Sequence, residues 1–244
     1  MTVNTHTIIL LNRKIKSLLL RSRLHVFLEP ITNPLLKLLY LSRLSQWCAD
    51  QGTPPYNDLN SPERQLEKRY GLYDFVMNQQ QLGGPIDYLE FGVAQGDSLK
   101  WWVEHNTHAT SRFVGFDTFE GLPEKFEWLD SGTFSSGGKP PMMRDARCTF
   151  EVGMFQDTLE PFIKKMSFDR RTVIHLDADL YSSTLYVLAR LGPHLKKGDV
   201  VLFDEFGVPM HEFRAFMDFA HAFRVKYELL GAVNNYMNVA LRLT

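Results

Sequence analysis

The chain has 244 residues, 44% of them hydrophobic and 23% charged, which excludes a disordered polymer and suits one well-packed domain with an appendage. A formal net charge of −1 gives no electrostatic case for a nucleic-acid partner. Two cysteines, Cys48 and Cys148, make neither a disulfide framework nor a zinc set, so a reducing, cytoplasmic setting is expected.

Residues 1–55 read as a basic helical extension. Residues 1–50 hold seven Lys or Arg against Glu29 and Asp50, a charge of +5 that leaves −6 for the remainder. Ile8 to Leu44 is Leu-rich with interspersed Arg and Lys, and Pro30 and Pro34 predict a break, hence two short amphipathic helices. No run approaches the roughly 18 uncharged apolar residues of a spanning helix. The apolar IILL precedes the basic NRKIK, the reverse of a secretory signal. The expectation is a cap packed on its own domain or on a second subunit of a homo-oligomer. Attachment to an anionic membrane surface and disorder are the alternatives.

After the linker-like DQGTPPYNDLNSP, Ser61 as N-cap and Pro62 at the first helical position predict a helix through about Gln79. Strands are expected near 86–91, 112–116, 148–152, 172–177 and 198–204, with helical stretches between most of them. That alternation predicts an α/β domain over residues 56–244 with a mostly parallel sheet. The final stretch, VKYELLGAVNNYMNVALRLT, has no room for a crossover helix and reads as an antiparallel hairpin, seven strands in all.

Ligands bind beyond the carboxyl ends of such strands, and four strand ends here carry polar groups. In YLEFGVAQGDS, Gly92 and Gly96 allow close backbone approach, and Ala94 stands where a dinucleotide fingerprint needs glycine. Glu90 would repel a pyrophosphate but suits a cationic amino group such as that of a methionine moiety. Asp117 ends the second strand 21 residues after Gly96, the spacing of an acid that holds a ribose diol. VIHLDADLYSS ends in Asp177 and Asp179, and VVLFDEFG in Asp204 and Glu205.

Together YLEFGVAQGDS, GFDTFEGLPE, VGMFQDTL, HLDADLYSST and VVLFDEFG resemble the successive motifs of the macrocin O-methyltransferase family, over roughly residues 60–244. The resemblance implies a Rossmann-like methyltransferase fold, S-adenosylmethionine as cofactor, and a hydroxyl acceptor on a sugar or glycosylated natural product. It implies that Glu90 and the turn with Gly92, Val93, Gly96 and Ser98 hold the methionine part. Asp117 would meet the ribose, Gly153, Phe155 and Gln156 the adenine, and Phe119 would also contact the cofactor. Asp177 would border the cofactor and, with Asp204 and Glu205, hold Mg²⁺, with Asp179 as general base. A hydroxyl is a weak acid and an ordinary carboxylate a weak base, so a cation on the hydroxyl would close the gap between them.

The family's pattern has two aspartates where this chain has Asp204 and Glu205, so a metal-free enzyme with a histidine base is the alternative. A catalytically silent cofactor-binding module is a further one. A short dehydrogenase is disfavoured by the missing third glycine and the lack of a Tyr-x-x-x-Lys pair. His211, Glu212 and His221 lack the H-E-x-x-H spacing. His175 reads as core and His194 as remote from the site. Of Trp101 and Trp102, one reads as core. The loop from Glu124 to Arg147, carrying Phe126, Trp128 and Phe134, is long enough to be a lid.

Overall fold

The computed structural model describes residues 5–59 and 63–244, and the chain divides into two compact units with the boundary between Arg43 and Leu44. Ser61 and Pro62, the expected helix start, lie outside the described residues.

The first unit consists of α1 (Thr5–Ser22) and the larger part of α2 (His25–Gln51). The expected break at Pro30 and Pro34 does not occur. Both prolines sit inside α2, and the chain turns instead at Arg23, whose φ is 50°. Each proline removes one helical N–H, freeing the carbonyls of Val26 and Pro30. This stretch of α2 is exposed, so water can take those carbonyls, and the Thr32 hydroxyl donates to Glu29 O at 3.2 Å. The Leu-rich run that follows supplies the helix propensity.

The second unit is built on one sheet, in the order β1 (Tyr56–Asn57), β7 (Tyr227–Val233), β8 (Asn238–Leu243), β6 (Val200–Phe203), β5 (Arg171–Leu176), β2 (Ile86–Phe91), β3 (Arg112–Asp117), β4 (Cys148–Val152). The strands from β6 through β4 run parallel, and β8 is antiparallel to both of its neighbours. Five parallel strands and the C-terminal hairpin are as the sequence predicts, within two residues at each end. The eighth strand is not. β1 is two residues long, pairs parallel with β7, and sits in a Pro-rich stretch with no periodicity to announce it.

The helices cover both faces. Leu44 and Trp47 at the end of α2, with α5 (Phe155–Lys165), α6 (Tyr181–Leu191) and α7 (Glu212–Phe223), pack on the face that carries Leu89, Phe91, Ile174 and Leu176. The Trp47 indole N–H also donates to the Tyr227 hydroxyl at 2.8 Å. Helices α3 (Lys68–Gln79) and α4 (Asp97–His105) cover the other face, over Tyr88, Phe113 and Val173. Trp102 is fully buried there, and Trp101 is half-buried. His194 lies in the short turn after α6, stacked on Phe168.

Strand β2 pairs with β3 on one side and β5 on the other, so the chain reverses its direction of growth there. The turns after β2 and β5 diverge at this point and leave a crevice at the carboxyl edge of the sheet. Gly92 is required at its rim: φ is +88°, and a Cβ would overlap the carbonyl oxygen of Asp177.

Candidate active site

A cleft of ≈ 660 Å³ opens at this edge, lined by the turn after β2, the end of β3, the start of α5, and the ends of β5 and β6. Of the predicted cofactor residues, Gly92, Val93, Gly96, Ser98, Asp117, Gly153, Phe155, Gln156 and Asp177 line it. Glu90 and Phe119 do not.

Glu90 shares a strand face with Tyr88, one pleat from the turn, and is buried. The Tyr88 hydroxyl donates to Glu90 Oε2 at 2.5 Å, and His175 Nδ1 lies 2.8 Å from that hydroxyl and 3.4 Å from the same carboxylate oxygen. The acid expected to meet an amino group is therefore part of a polar cluster under the floor of the cleft. Phe119 is buried edge-on against Phe150, and its carbonyl accepts from the amides of Ser136 and Gly138 at 3.0 and 2.8 Å. It anchors the following loop instead of lining the cleft.

Asp117 holds the glycine turn in shape. Its Oδ2 accepts from the amides of Val93 and Ala94 at 2.8 and 2.9 Å, and its Oδ1 from Phe119 N at 2.8 Å. Each carboxylate oxygen has two lone pairs, so Oδ1, with one amide donor, retains one. The Asp117 carbonyl accepts from Gly153 N at 3.0 Å, which ties the α5 entrance to the same strand end.

Across the cleft stand four acids. Asp177, Asp179, Asp204 and Glu205 all line it. Burial, then the charge of Asp204, pushes Asp177 well above the usual carboxylate range, Asp179 up to about 7 and Glu205 up to about 8. So many desolvated acids in one place call for a cation. Two arginines that sequence reasoning missed supply part of it. Arg64 Nη2 lies 2.8 Å from Glu205 Oε1 and 3.7 Å from Asp204 Oδ2, and Arg69 Nη1 lies 3.7 Å from Asp204 Oδ1. Asn238 Nδ2 donates to Asp204 Oδ1 at 2.7 Å, and Glu205 N donates to Glu212 Oε2 at 2.8 Å. Arg64, Arg69 and Asn238 have no local signal, because each comes from an element distant in sequence, whereas Glu212 is only seven residues beyond Glu205.

The donor set fits a hard divalent cation in part. His175, Asp177 and Asp204 each offer an atom within 4.8 Å of the others. Both nitrogens of His175 are engaged, however, Nδ1 with Tyr88 and Nε2 with the Tyr73 hydroxyl at 3.3 Å. Asp177 and Asp204 are thus the oxygen donors that converge, which suits Mg²⁺ over zinc. Glu205 is turned to Arg64, while its Oε2 is buried without a hydrogen-bond partner among the described residues.

The long loop folds against the mouth. Leu122 and Thr133 pair across it, Phe126 packs edge-on against His211, and Ser182 Oγ donates to Glu124 Oε1 at 2.7 Å. Phe134 lines the cleft while more than half exposed, and Trp128 is 82% exposed.

Residues 142–238 match the macrocin-O-methyltransferase family. This is the family that the motifs resemble. The matched stretch contains the acids after β5 and β6; the glycine turn and Asp117 precede it. A relative from Streptomyces olivaceus, 8-demethyl-8-(2,3-dimethoxy-α-L-rhamnosyl)-tetracenomycin-C 4′-O-methyltransferase, is 27% identical over 175 residues, 62% of this chain and 63% of the relative. Among solved structures, the calicheamicin methyltransferase CalS11 is similar with a TM-score of 0.59 and 21% identity, covering 84% of this chain and 91% of that one. The O-methyltransferase NovP is similar with a TM-score of 0.56 and 21% identity, over 73% of this chain and 79% of that one. These structures establish the methyltransferase fold.

Proposed function

We propose that this protein is an S-adenosylmethionine-dependent O-methyltransferase acting on a hydroxyl of a sugar-containing acceptor. The observation that carries the reading is the cleft itself: the glycine turn held by Asp117 faces Asp177, Asp179 and Asp204 across one opening at the switch point of the sheet. The sugar acceptor rests on the rhamnosyl substrate in the name of the Streptomyces olivaceus relative.

The turn from Gly92 to Ser98 holds the methionine portion, the free lone pair of Asp117 takes a ribose hydroxyl, and Gly153, Phe155 and Gln156 border the adenine. In the transfer, the acceptor oxygen attacks the sulfonium methyl carbon and the C–S bond breaks with its electrons going to sulfur. The hydroxyl proton passes to Asp179. No histidine lines the cleft among the described residues, which supports a carboxylate as the base. Asp177 and Asp204 would hold Mg²⁺, with Glu205 as the third donor; bound there, the ion lowers the pKa of the hydroxyl. The loop from Glu124 to Arg147 closes over the bound pair and excludes water from the sulfonium. The free thiols Cys48 and Cys148 support a reducing, cytoplasmic setting.

The deciding experiment is titration with S-adenosylhomocysteine with and without Mg²⁺, followed by turnover on a panel of sugar hydroxyls read by mass. Micromolar binding and a methylated sugar are expected. Absence of S-adenosylhomocysteine binding in both conditions would overturn the reading.

A further inference from the structure

The first unit carries a charge and an apolar surface that the proposed chemistry does not use. No side chain from Thr7 to Arg43 is buried. Residues 5–43 contain seven Lys or Arg and the single acid Glu29, a formal charge of +6, against −7 for residues 44–244. In α1, Ile8, Leu11, Ile15, Leu18 and Leu19 follow the spacing of one helix face and are all exposed. At 100° per residue, Lys14 and Arg21 flank that stripe on one side and Lys16 on the other, while Arg13 falls behind it. In α2, Phe27, Ile31, Leu35 and Leu38 make a second stripe, with Phe27 75% exposed.

Apolar stripes of this length left in water are unfavourable, and soluble chains rarely retain them without something to cover them. Two occupants fit an apolar face: a second copy of the chain, or a lipid surface. The charge decides between them. Joining two such helical pairs would bring together two segments of +6, whereas an anionic surface complements that charge and receives the stripe as well. Lys14 and Lys16 have the reach to extend from the edges of a buried stripe toward headgroup phosphates. No helix among the described residues is long and apolar enough to cross a membrane. The arrangement suits a helix that lies in the interface plane.

We propose that α1, with the Phe27 face of α2, docks this protein on an anionic membrane surface. Phosphate-bearing headgroups meet Arg13, Lys14, Lys16 and Arg21, and the Ile8 to Leu19 stripe enters the boundary with the acyl chains. The proposal is independent of the reaction in the cleft.

The test is flotation of the full-length protein with vesicles of phosphatidylglycerol and phosphatidylcholine, beside vesicles of phosphatidylcholine alone. Binding to the anionic vesicles is expected to be at least tenfold stronger and to fall as salt is raised. R13Q/K14Q/K16Q/R21Q should lower it at least tenfold, and I15D/L18D should remove it. The thermal unfolding of both variants should match that of the parent, since every substituted side chain is exposed. Equal binding to neutral and anionic vesicles would overturn the proposal. So would an absence of vesicle binding, whether by a monomer or by a dimer that I15D/L18D splits, the latter assigning the face to a second copy.

Discussion

Asp117→Ala tests the cofactor half of the site through contacts the structure resolves. The carboxylate accepts three backbone amides, and in the proposed complex it also accepts a ribose hydroxyl. Hydrogen bonds to a charged group contribute about 1.5–3 kcal/mol each. Asp117 is half-buried, so the lower end applies. Loss of the ribose contact, with relaxation of the Val93–Ala94 turn as a second contribution of similar size, gives about 3 kcal/mol. At about 1.4 kcal/mol per tenfold, that is a roughly hundredfold rise in the S-adenosylhomocysteine Kd. Asp117→Asn keeps an amide oxygen for the Val93 and Ala94 amides and presents a donor to Phe119 N. It should weaken binding about tenfold. Calorimetric titration reads both, and thermal unfolding of the Ala variant should fall by about 5–10 °C for about 2–3 kcal/mol of lost turn stability in a unit of this size. An Asp117→Ala Kd within threefold of the parent value would refute the assigned role.

Gly92→Ala should abolish S-adenosylhomocysteine binding while leaving the sheet folded by circular dichroism, because the new Cβ displaces the Asp177 carbonyl and φ is +88°. Retained binding would show that the turn does not meet the cofactor. In metal-free protein, Asp179 near 7 and Glu205 near 8 keep protons in the folded state that the unfolded state releases at about pH 4. The folded state therefore binds more protons between about pH 4 and 8, and Tm should fall as pH rises through that window. Mg²⁺ should raise Tm more at pH 8 than at pH 6, and Asp204→Asn should remove the effect; a Tm that climbs from pH 5 to 8 without metal contradicts the acid cluster. Burial, and then the charge of Glu90, pushes the Cys148 thiol up to about 12, so alkylation at pH 8 should wait for unfolding. Rapid labelling of the folded protein at Cys148 would count against that burial.

The sequence by itself determined the features that depend on near neighbours. Apolar runs such as VVLF place buried strands, the lack of room for a crossover dictates the C-terminal hairpin, and glycines after β2 mark a turn needing positive φ. Acids at strand ends are legible because a parallel sheet puts every such end on one edge, which is why Asp117, Asp177, Asp179 and Asp204 reach one cleft. Even Glu90 was half-legible: the two-residue period puts it beside Tyr88, but only packing with His175 turns it into part of a buried polar cluster that does not line the cleft. Tertiary structure alone decided what surrounds the acids. Arg64, Arg69, Glu212 and Asn238 meet Asp204 and Glu205 because the segment before α3, α3 itself, α7 and the β7–β8 hairpin converge there. Pairings across 141 residues, as from Arg64 to Glu205, leave no periodic trace in a single chain. The same holds for α2, where local rules predict a break at two prolines and exposure to water lets the helix continue.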